Sequence, residues 1–448
     1  MCLPRALGHI MERMGAMRGW RSVCYLRTYT ANLRGMPPLL IAIEPGPPHV
    51  LHGGAAGPTL QHGVGHWTEA IERFAHNWTG DTLLIGNQAP SDMVGVKRFR
   101  STTTILRDAR RPLFTLMIPS RITRIVDPLF AGPLGSRLVR QDWERASHPA
   151  LLQVLEEEVA KNPETTVFIP TGIAMTVETV IRNIERLRAA AGGGSKLKFR
   201  IRFSSQGHER RGLHPSYFGL QLKRWHERAG DVDLRFGIEV ESMAQRYSEV
   251  SGLDVAWVPW PNEATNCAPL TTPLSPAAPH IYIYASRREQ GTGNAERIVQ
   301  GLKAALPSGA RYTVQVGSKG SQHFPEVVKR LKETDGVTFS GSGLPPEQLH
   351  ALFADASAII LPYELRRYKG RGSALMWAAL DHGIPMIAPV GTGFGDDIAR
   401  HGIGYAYRHL NEIPELALRS IAEAIDLKAA ISRYQVRRTE AVAAYLYT

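Results

Sequence analysis

Short apolar runs of strand length alternate in this chain with longer segments of helical period, and the alternation occurs twice, once on each side of a proline-rich stretch. In the first half LLIAIE (39–44), TLLIG (82–86), LFTLMI (113–118), TVFIP (166–170), FRIRF (199–203) and VAWV (255–258) read as buried strands. Trp67, Ile71, Phe74, Ala75 and Trp78 share one helical face, and similar spacing over 174–190 predicts a second helix, stopped by the GGGS connector at 192–195. The second half repeats the pattern with HIYIYAS (280–286), YTVQV (312–316), VTF (337–339), AIILPY (358–363) and PMIAP (385–389). Ile298, Leu302 and Ala305 mark one helix between these runs, and Phe324, Val327 and Leu331 another. Between Pro259 and Pro279 the text PWPNEATNCAPLTTPLSPAAP has no period, as an interdomain crossing would.

The expected fold is therefore α/β, with two Rossmann-like doubly wound domains facing each other across a cleft. Residues 1–35 form a basic N-terminal segment, 36–261 the first domain, 262–279 the linker and 280–448 the second domain. A chain of 448 residues suits two such domains, because single cores stop growing beyond roughly 250–300 residues.

Composition narrows the function classes. The three cysteines, Cys2, Cys24 and Cys267, are far apart and form no Cys-x-x-Cys pair, which supports neither a disulfide framework nor a cysteine zinc site. No apolar run reaches the roughly 18 residues a membrane span needs. The net charge of +12 implies anionic partners without choosing among them. Six arginines in residues 1–35 oppose the single acid Glu12, which fits either a cationic face on a membrane surface or a disordered N-terminus. No apolar core followed by a small-residue cleavage site marks a signal peptide there. A reducing, cytoplasmic setting is expected, with peripheral contact at the inner face of the membrane as an option.

In open α/β sheets ligands lie beyond the carboxyl ends of the strands, so the strand-to-helix turns hold the candidate chemistry. The segment YKGRGSALMWAALDHGIP (368–385) is one such turn. Gly370 and Gly372 let backbone N–H groups approach a ligand, Ser373 is placed to cap the helix that follows, and Arg371 adds a planar fork suited to phosphate oxygens. These features describe a phosphate seat. An ordinary capped surface helix with solvated Lys369 and Arg371 fits the same residues.

Similarity separates the two readings. From His280 to about Leu446 the sequence resembles the donor-binding domain of GT-B glycosyltransferases, especially the retaining family 4 and its relatives. The resemblance rests on YASRREQG (284–291), on SGLPPEQLHALFADASAIILPY (342–363) and above all on LPYELRRYKGRGSALMWAALDHGIPMIAP (361–389). IEVESMAQRYSEVSGLDVAWVPWP (238–261) resembles, more weakly, the helix and strand that lead into the family's linker.

The resemblance implies a hexosyltransferase that moves a sugar from a nucleotide-sugar donor to a saccharide or lipid-linked acceptor, in polysaccharide or glycoconjugate biosynthesis. The donor is a cosubstrate, and no cofactor or metal is implied. In such a reaction negative charge grows on the departing diphosphate, and fixed donors must meet it. The implied catalytic set is Arg287, Arg371 and His66; the implied donor-binding set is Gln290, Glu364, Tyr368, Gly372, Ser373 and Ala374. Retention without a strong protein nucleophile is part of the same implication.

Two positions depart from the family pattern. Gln290 stands where many relatives have Lys, and Ala378 where relatives usually have a Glu that holds the nucleotide ribose. Asp381, a helical turn later, is a candidate substitute for that Glu. His66, in GVGHWTEA (63–70), resembles the family's Gly-His element facing the donor sugar, and HVLHGGAAG (49–57) competes for the role of glycine loop. SSQGHERRGLH (204–214) reads as a solvated loop or an acceptor contact, and no metal-ligand spacing occurs. The departures keep a non-catalytic partner subunit open as an alternative. A nucleotide-sugar epimerase of the same architecture is another, and nucleic-acid binding is not expected.

Overall fold

A computed structural model describes residues 39–43, 71–86 except 72 and 79, 98–101, 149–172, 174–193, 196–203, 215–262, 278–341 and 346–448. The 113–118 run, the basic segment 1–35, His66 with both glycine loops, and the 204–214 cluster lie outside these residues.

The first sheet has seven parallel strands, β1 (Leu39–Ile43), β2 (Asp81–Gly86), β3 (Arg98–Ser101), β4 (Thr165–Ile169), β5 (Lys198–Phe203), β6 (Asp233–Ile238) and β7 (Val255–Trp257). They lie in the order β3-β2-β1-β4-β5-β6-β7. The second sheet holds β8 (His280–Tyr284), β9 (Arg311–Gln315), β10 (Val337–Ser340), β11 (Ala358–Ile360), β12 (Met386–Pro389) and β13 (Gly404–Tyr407). Its order is β10-β9-β8-β11-β12-β13, again all parallel. Both are doubly wound arrangements. The strand order reverses between β1 and β4 in one sheet and between β8 and β11 in the other, and such switch points are where ligands bind.

Strand periodicity divides each sheet's side chains between two layers. On one face of the first sheet Ile41, Ile43, Val167, Ile169, Phe199, Ile201 and Phe203 join the core formed with the helices Pro149–Lys161, Pro215–Ala229 and Glu241–Ser251. On the other, Leu40 and Phe168 meet Phe74, Trp78 and the end of the last helix, Ala424–Tyr447. That helix starts in the second domain, where Ile431 and Tyr434 pack beside Trp377, and ends with Tyr445 and Leu446 against the first sheet. It ties the two domains together.

Arg200 and Arg202, both on β5, are fully buried on the face that the last helix covers. Arg200 donates to the carbonyl of Tyr445 at 2.8 Å and pairs with Asp233; Arg202 donates to the carbonyls of Val258 and Pro170. Gly192 and Gly193, at φ +90° and +66°, end the helix Ile184–Ala190, consistent with the connector reading. Strands β3, β6 and β13 are additions to those read from the sequence. Among the described residues no helix is long and apolar enough to cross a membrane.

Candidate active site

The segments that leave β8 and β11 form the switch point of the second sheet. After Tyr284 the chain turns through Arg288–Gln290 and reaches Gly291 at φ +87°, where any side chain would collide with Pro362. The hydroxyl of Thr292 donates to the carbonyl of Ala285 at 2.5 Å, and the N–H of Glu364 donates to the carbonyl of Glu289 at 2.9 Å. The two segments are thus fastened to each other.

Beyond β11 the chain makes a four-residue helix, Leu365–Tyr368, then a turn through Gly370 at φ +70°, and enters the helix Ala374–Asp381. The N–H of Arg371 donates to the carbonyl of Tyr368 at 3.1 Å. The N–H groups of Ser373 and Ala374 have no acceptor among the described residues, as the first groups of a helix do not. Together with the positive end of the helix dipole they form a seat for an anion.

Aromatic rings support this turn from below. Tyr363 lies 4.3 Å from Tyr368 between ring centroids and 5.4 Å from Phe394, and Tyr284 closes the group at 6.1 Å from Tyr363. Burial pushes the Tyr363 hydroxyl well above its usual range, and burial together with the Glu289 charge pushes Tyr368 up to about 12. Both phenols stay neutral. Ser373 occupies the N-cap position of the helix Ala374–Asp381, yet its side chain makes no capping bond, contrary to the expectation from sequence.

Tyr368 is the common neighbour of several candidate residues. The Arg371 guanidinium lies 5.8 Å from its ring, and the Gln290 side chain acts on its hydroxyl. The charge of Arg287 also acts on that hydroxyl, from an exposed side chain. The Gln290 Oε1 is buried without a partner. Glu364 is exposed at the start of the four-residue helix and makes no capping bond with its side chain. Ala378 is half-buried on the helix Ala374–Asp381.

Asp381 is not a substitute ribose ligand. Its carboxylate is buried between Arg73, at 2.5 Å, and Arg438, at 3.1 Å. Arg438 also donates to the carbonyls of Trp260 and Pro261, which fixes the start of the crossing between domains. Asp381 serves an interdomain ion pair.

Two features of the site were not singled out from the sequence. Glu239, directly after β6, brings a buried carboxyl from the first domain against the turn. Its Oε1 accepts the Trp377 indole N–H at 2.6 Å, and a side chain at position 372 would collide with it. Arg202 stands 3.6 Å from its other oxygen, yet burial outweighs that charge and the Trp377 bond, and raises the Glu239 carboxyl. The second feature is the loop after β12, GTGFG (391–395). Thr392, fully buried, caps Gly395 at 3.0 Å, and Gly393 lies so close to Arg371 that a Cβ would sit 2.9 Å from its backbone N and O. A glycine-rich run directly after a strand was the available signal.

The contact of Glu239 with Trp377 and that of Val240 with Gly393 show that the carboxyl ends of the two sheets face each other. No protein-family model matches the sequence, and neither does any curated protein. Solved structures do match the fold. An Escherichia coli structure described as trehalose-6-phosphate bound with UDP-2-fluoro glucose aligns at TM-score 0.51 and 12% identity, over 91% of this chain and 98% of its own. Anabaena HepE in complex with UDP aligns at TM-score 0.51 and 12% identity, over 91% and 96%. A glycosyltransferase from Rickettsia africae aligns at TM-score 0.50 and 11% identity, over 91% and 95%. The fold of this chain is the two-domain GT-B architecture that the sequence resemblance implied.

Proposed function

We propose that this chain is a glycosyltransferase that binds a nucleotide-sugar donor mainly through its second domain and passes the sugar to an acceptor held by the first. One observation carries the reading. The turn Gly370–Ala374 aims unpaired backbone N–H groups from the switch point of the second sheet, with Arg371 and Arg287 beside it, where the first domain meets the second. Structures of the same fold hold UDP or a UDP-sugar. This supports a uridine nucleotide as the first donor to test.

Departure of the nucleoside diphosphate leaves an oxocarbenium-like sugar, and the developing phosphate charge would be met by the N–H groups of Ser373 and Ala374 and by the two arginines. Gln290 would contribute an amide where a cation is usual in the family. Ala378 offers no hydrogen bond to a ribose, so the donor is held with roughly 1–3 kcal/mol less than a Glu there would give. Retention at the anomeric carbon is part of the proposal and rests on the family 4 resemblance of 361–389. So does a saccharide or lipid-linked acceptor in polysaccharide or glycoconjugate assembly; peripheral contact with the inner face of the membrane, an option to the cytoplasmic setting, rests instead on the six arginines of residues 1–35. His66 is kept in the proposal as a residue near the donor sugar.

Incubation with a panel of nucleotide sugars and acceptors, read as nucleoside diphosphate release, tests the reaction, and the anomeric configuration of the product tests retention. Release that requires an acceptor is expected. Conversion of the donor sugar without any acceptor would instead indicate an epimerase.

A further inference from the structure

The donor reading leaves positive charge unaccounted for at the mouth of the site. The segments after β8 and β11, residues 285–294 and 361–373, carry Arg287, Arg288, Arg366, Arg367, Lys369 and Arg371 against only two acids, Glu289 and Glu364. Arg371 is half-buried and the other five cations are exposed. None of the six side chains has an ion pair or hydrogen bond among the described residues. The arginines at the domain junction differ: Arg73, Arg202, Arg437 and Arg438 all face carboxylates.

A donor diphosphate engages Arg287 and Arg371 and is the smaller part of what this surface can neutralise. Four cations remain: Arg288 beside Arg287, and Arg366, Arg367 and Lys369 on and just after the four-residue helix. Like charges on neighbouring positions, without a partner among the described residues, repel one another, and the arrangement gains energy when an anion arrives. Their place narrows the choice of anion. They belong to the two segments that supply Arg287 and Arg371, and the bond from Glu364 to Glu289 fastens those segments to each other, so an anion they hold lies next to the donor's place on this reading.

We propose that Arg288, Arg366, Arg367 and Lys369 reach from the second domain to the anionic group of an acceptor whose body the first domain holds, one that carries a phosphate or carboxylate near its reacting hydroxyl. This rests on the donor reading of the same site. The four residues leave the donor to the seat itself and act on the second substrate.

The test uses the full chain saturated with UDP. Calorimetry compares a neutral hexose with its 6-phosphate and with the matching uronic acid, for the wild type and for the variant combining Arg288→Gln, Arg366→Gln, Arg367→Gln and Lys369→Gln. The anionic sugars are expected to bind at least about tenfold more tightly than the neutral one, with an affinity that falls as salt rises. The variant should lose that preference while its UDP affinity stays within about threefold of the wild type, because the changed groups are exposed surface charges. Equal affinity for neutral and anionic sugars, or no binding of either by UDP-loaded protein, would overturn the inference while leaving the donor reading intact. Binding to phosphatidylglycerol vesicles through these residues, with no affinity for the sugar phosphates, would overturn it in favour of membrane docking. Failure of the wild type to bind any nucleoside diphosphate would remove the donor reading as well.

Discussion

Glu239 accepts the indole N–H of Trp377 at 2.6 Å, and in doing so joins the first domain to the helix Ala374–Asp381, whose N-terminus is the proposed anion seat. The carboxyl is 4% exposed and stands opposite the fully buried Arg202. Removing it strands both partners. Glu239→Ala is expected to destabilise the protein by about 3–5 kcal/mol, the range for breaking a buried charged pair. Glu239→Gln also removes the charge that faces Arg202 but keeps an acceptor for Trp377, so it should lose less than the alanine variant by about the 1 kcal/mol of that hydrogen bond. Equal losses in denaturant unfolding would show that the hydrogen bond to Trp377 contributes nothing.

Gly372 abuts the same carboxyl. Gly372→Ala places a methyl group into Glu239 and must displace the turn or the first domain, so donor affinity should fall by at least about tenfold, the scale of overpacking. Unchanged affinity would mean that the turn adjusts without disturbing the seat.

Asp381 distinguishes a structural carboxylate from a ligand. Asp381→Asn leaves Arg73 and Arg438 facing a neutral amide, and a loss of about 3–5 kcal/mol in stability is expected. The folded variant should bind nucleotide as the wild type does. A selective loss of nucleotide affinity at unchanged stability would restore Asp381 as a ribose ligand.

Asp397 gives the domain junction a pH dependence. From the helix Gly393–His401 it accepts the N–H of Glu241 at 3.1 Å and of Ser242 at 3.4 Å, at the start of the helix Glu241–Ser251. Burial pushes it up to about 7 against the help of those N–H groups. Burial works the same way on Glu241, but bonds from His401 and Arg437 outweigh it and hold Glu241 at about 2. The two carboxyls act with opposite sign. The folded state keeps a proton on Asp397 that the unfolded chain has lost above about pH 4, so stability falls as pH rises towards 7. The contribution of Glu241 is present above about pH 4.5 and fades as pH falls towards 2. From these two groups melting temperature should therefore peak near pH 4 and decline until about pH 7, and Asp397→Asn should flatten the decline. A variant that keeps the wild-type slope would remove Asp397 as its source.

The site residues differ in how far local sequence could reveal them. Buried parallel strands give continuous apolar runs, so β1, β4, β8 and β12 stand out, whereas RFRS, DLRFGI and GYAY are too polar or too short to do so. The turn at 370–374 was legible because glycine spacing and a following helix are local signals. Ser373 misled because a capping rule considers only residue type and position, and its side chain makes no capping bond there. Glu239 and Asp381 have partners 138 and 308 residues away, so nothing near them in the sequence announces their roles.

Titration calorimetry of nucleoside diphosphates, UDP among them, against the wild type, Arg371→Ala and Arg419→Ala tests the central claim most directly. Arg419 is an exposed arginine paired with Glu423, remote in sequence from the seat. The account predicts that the wild type binds, that Arg371→Ala binds roughly ten- to a hundredfold more weakly through loss of a charge-assisted contact, and that Arg419→Ala matches the wild type. Folded wild-type protein that binds no nucleoside diphosphate, or equal affinities for all three proteins, would contradict it.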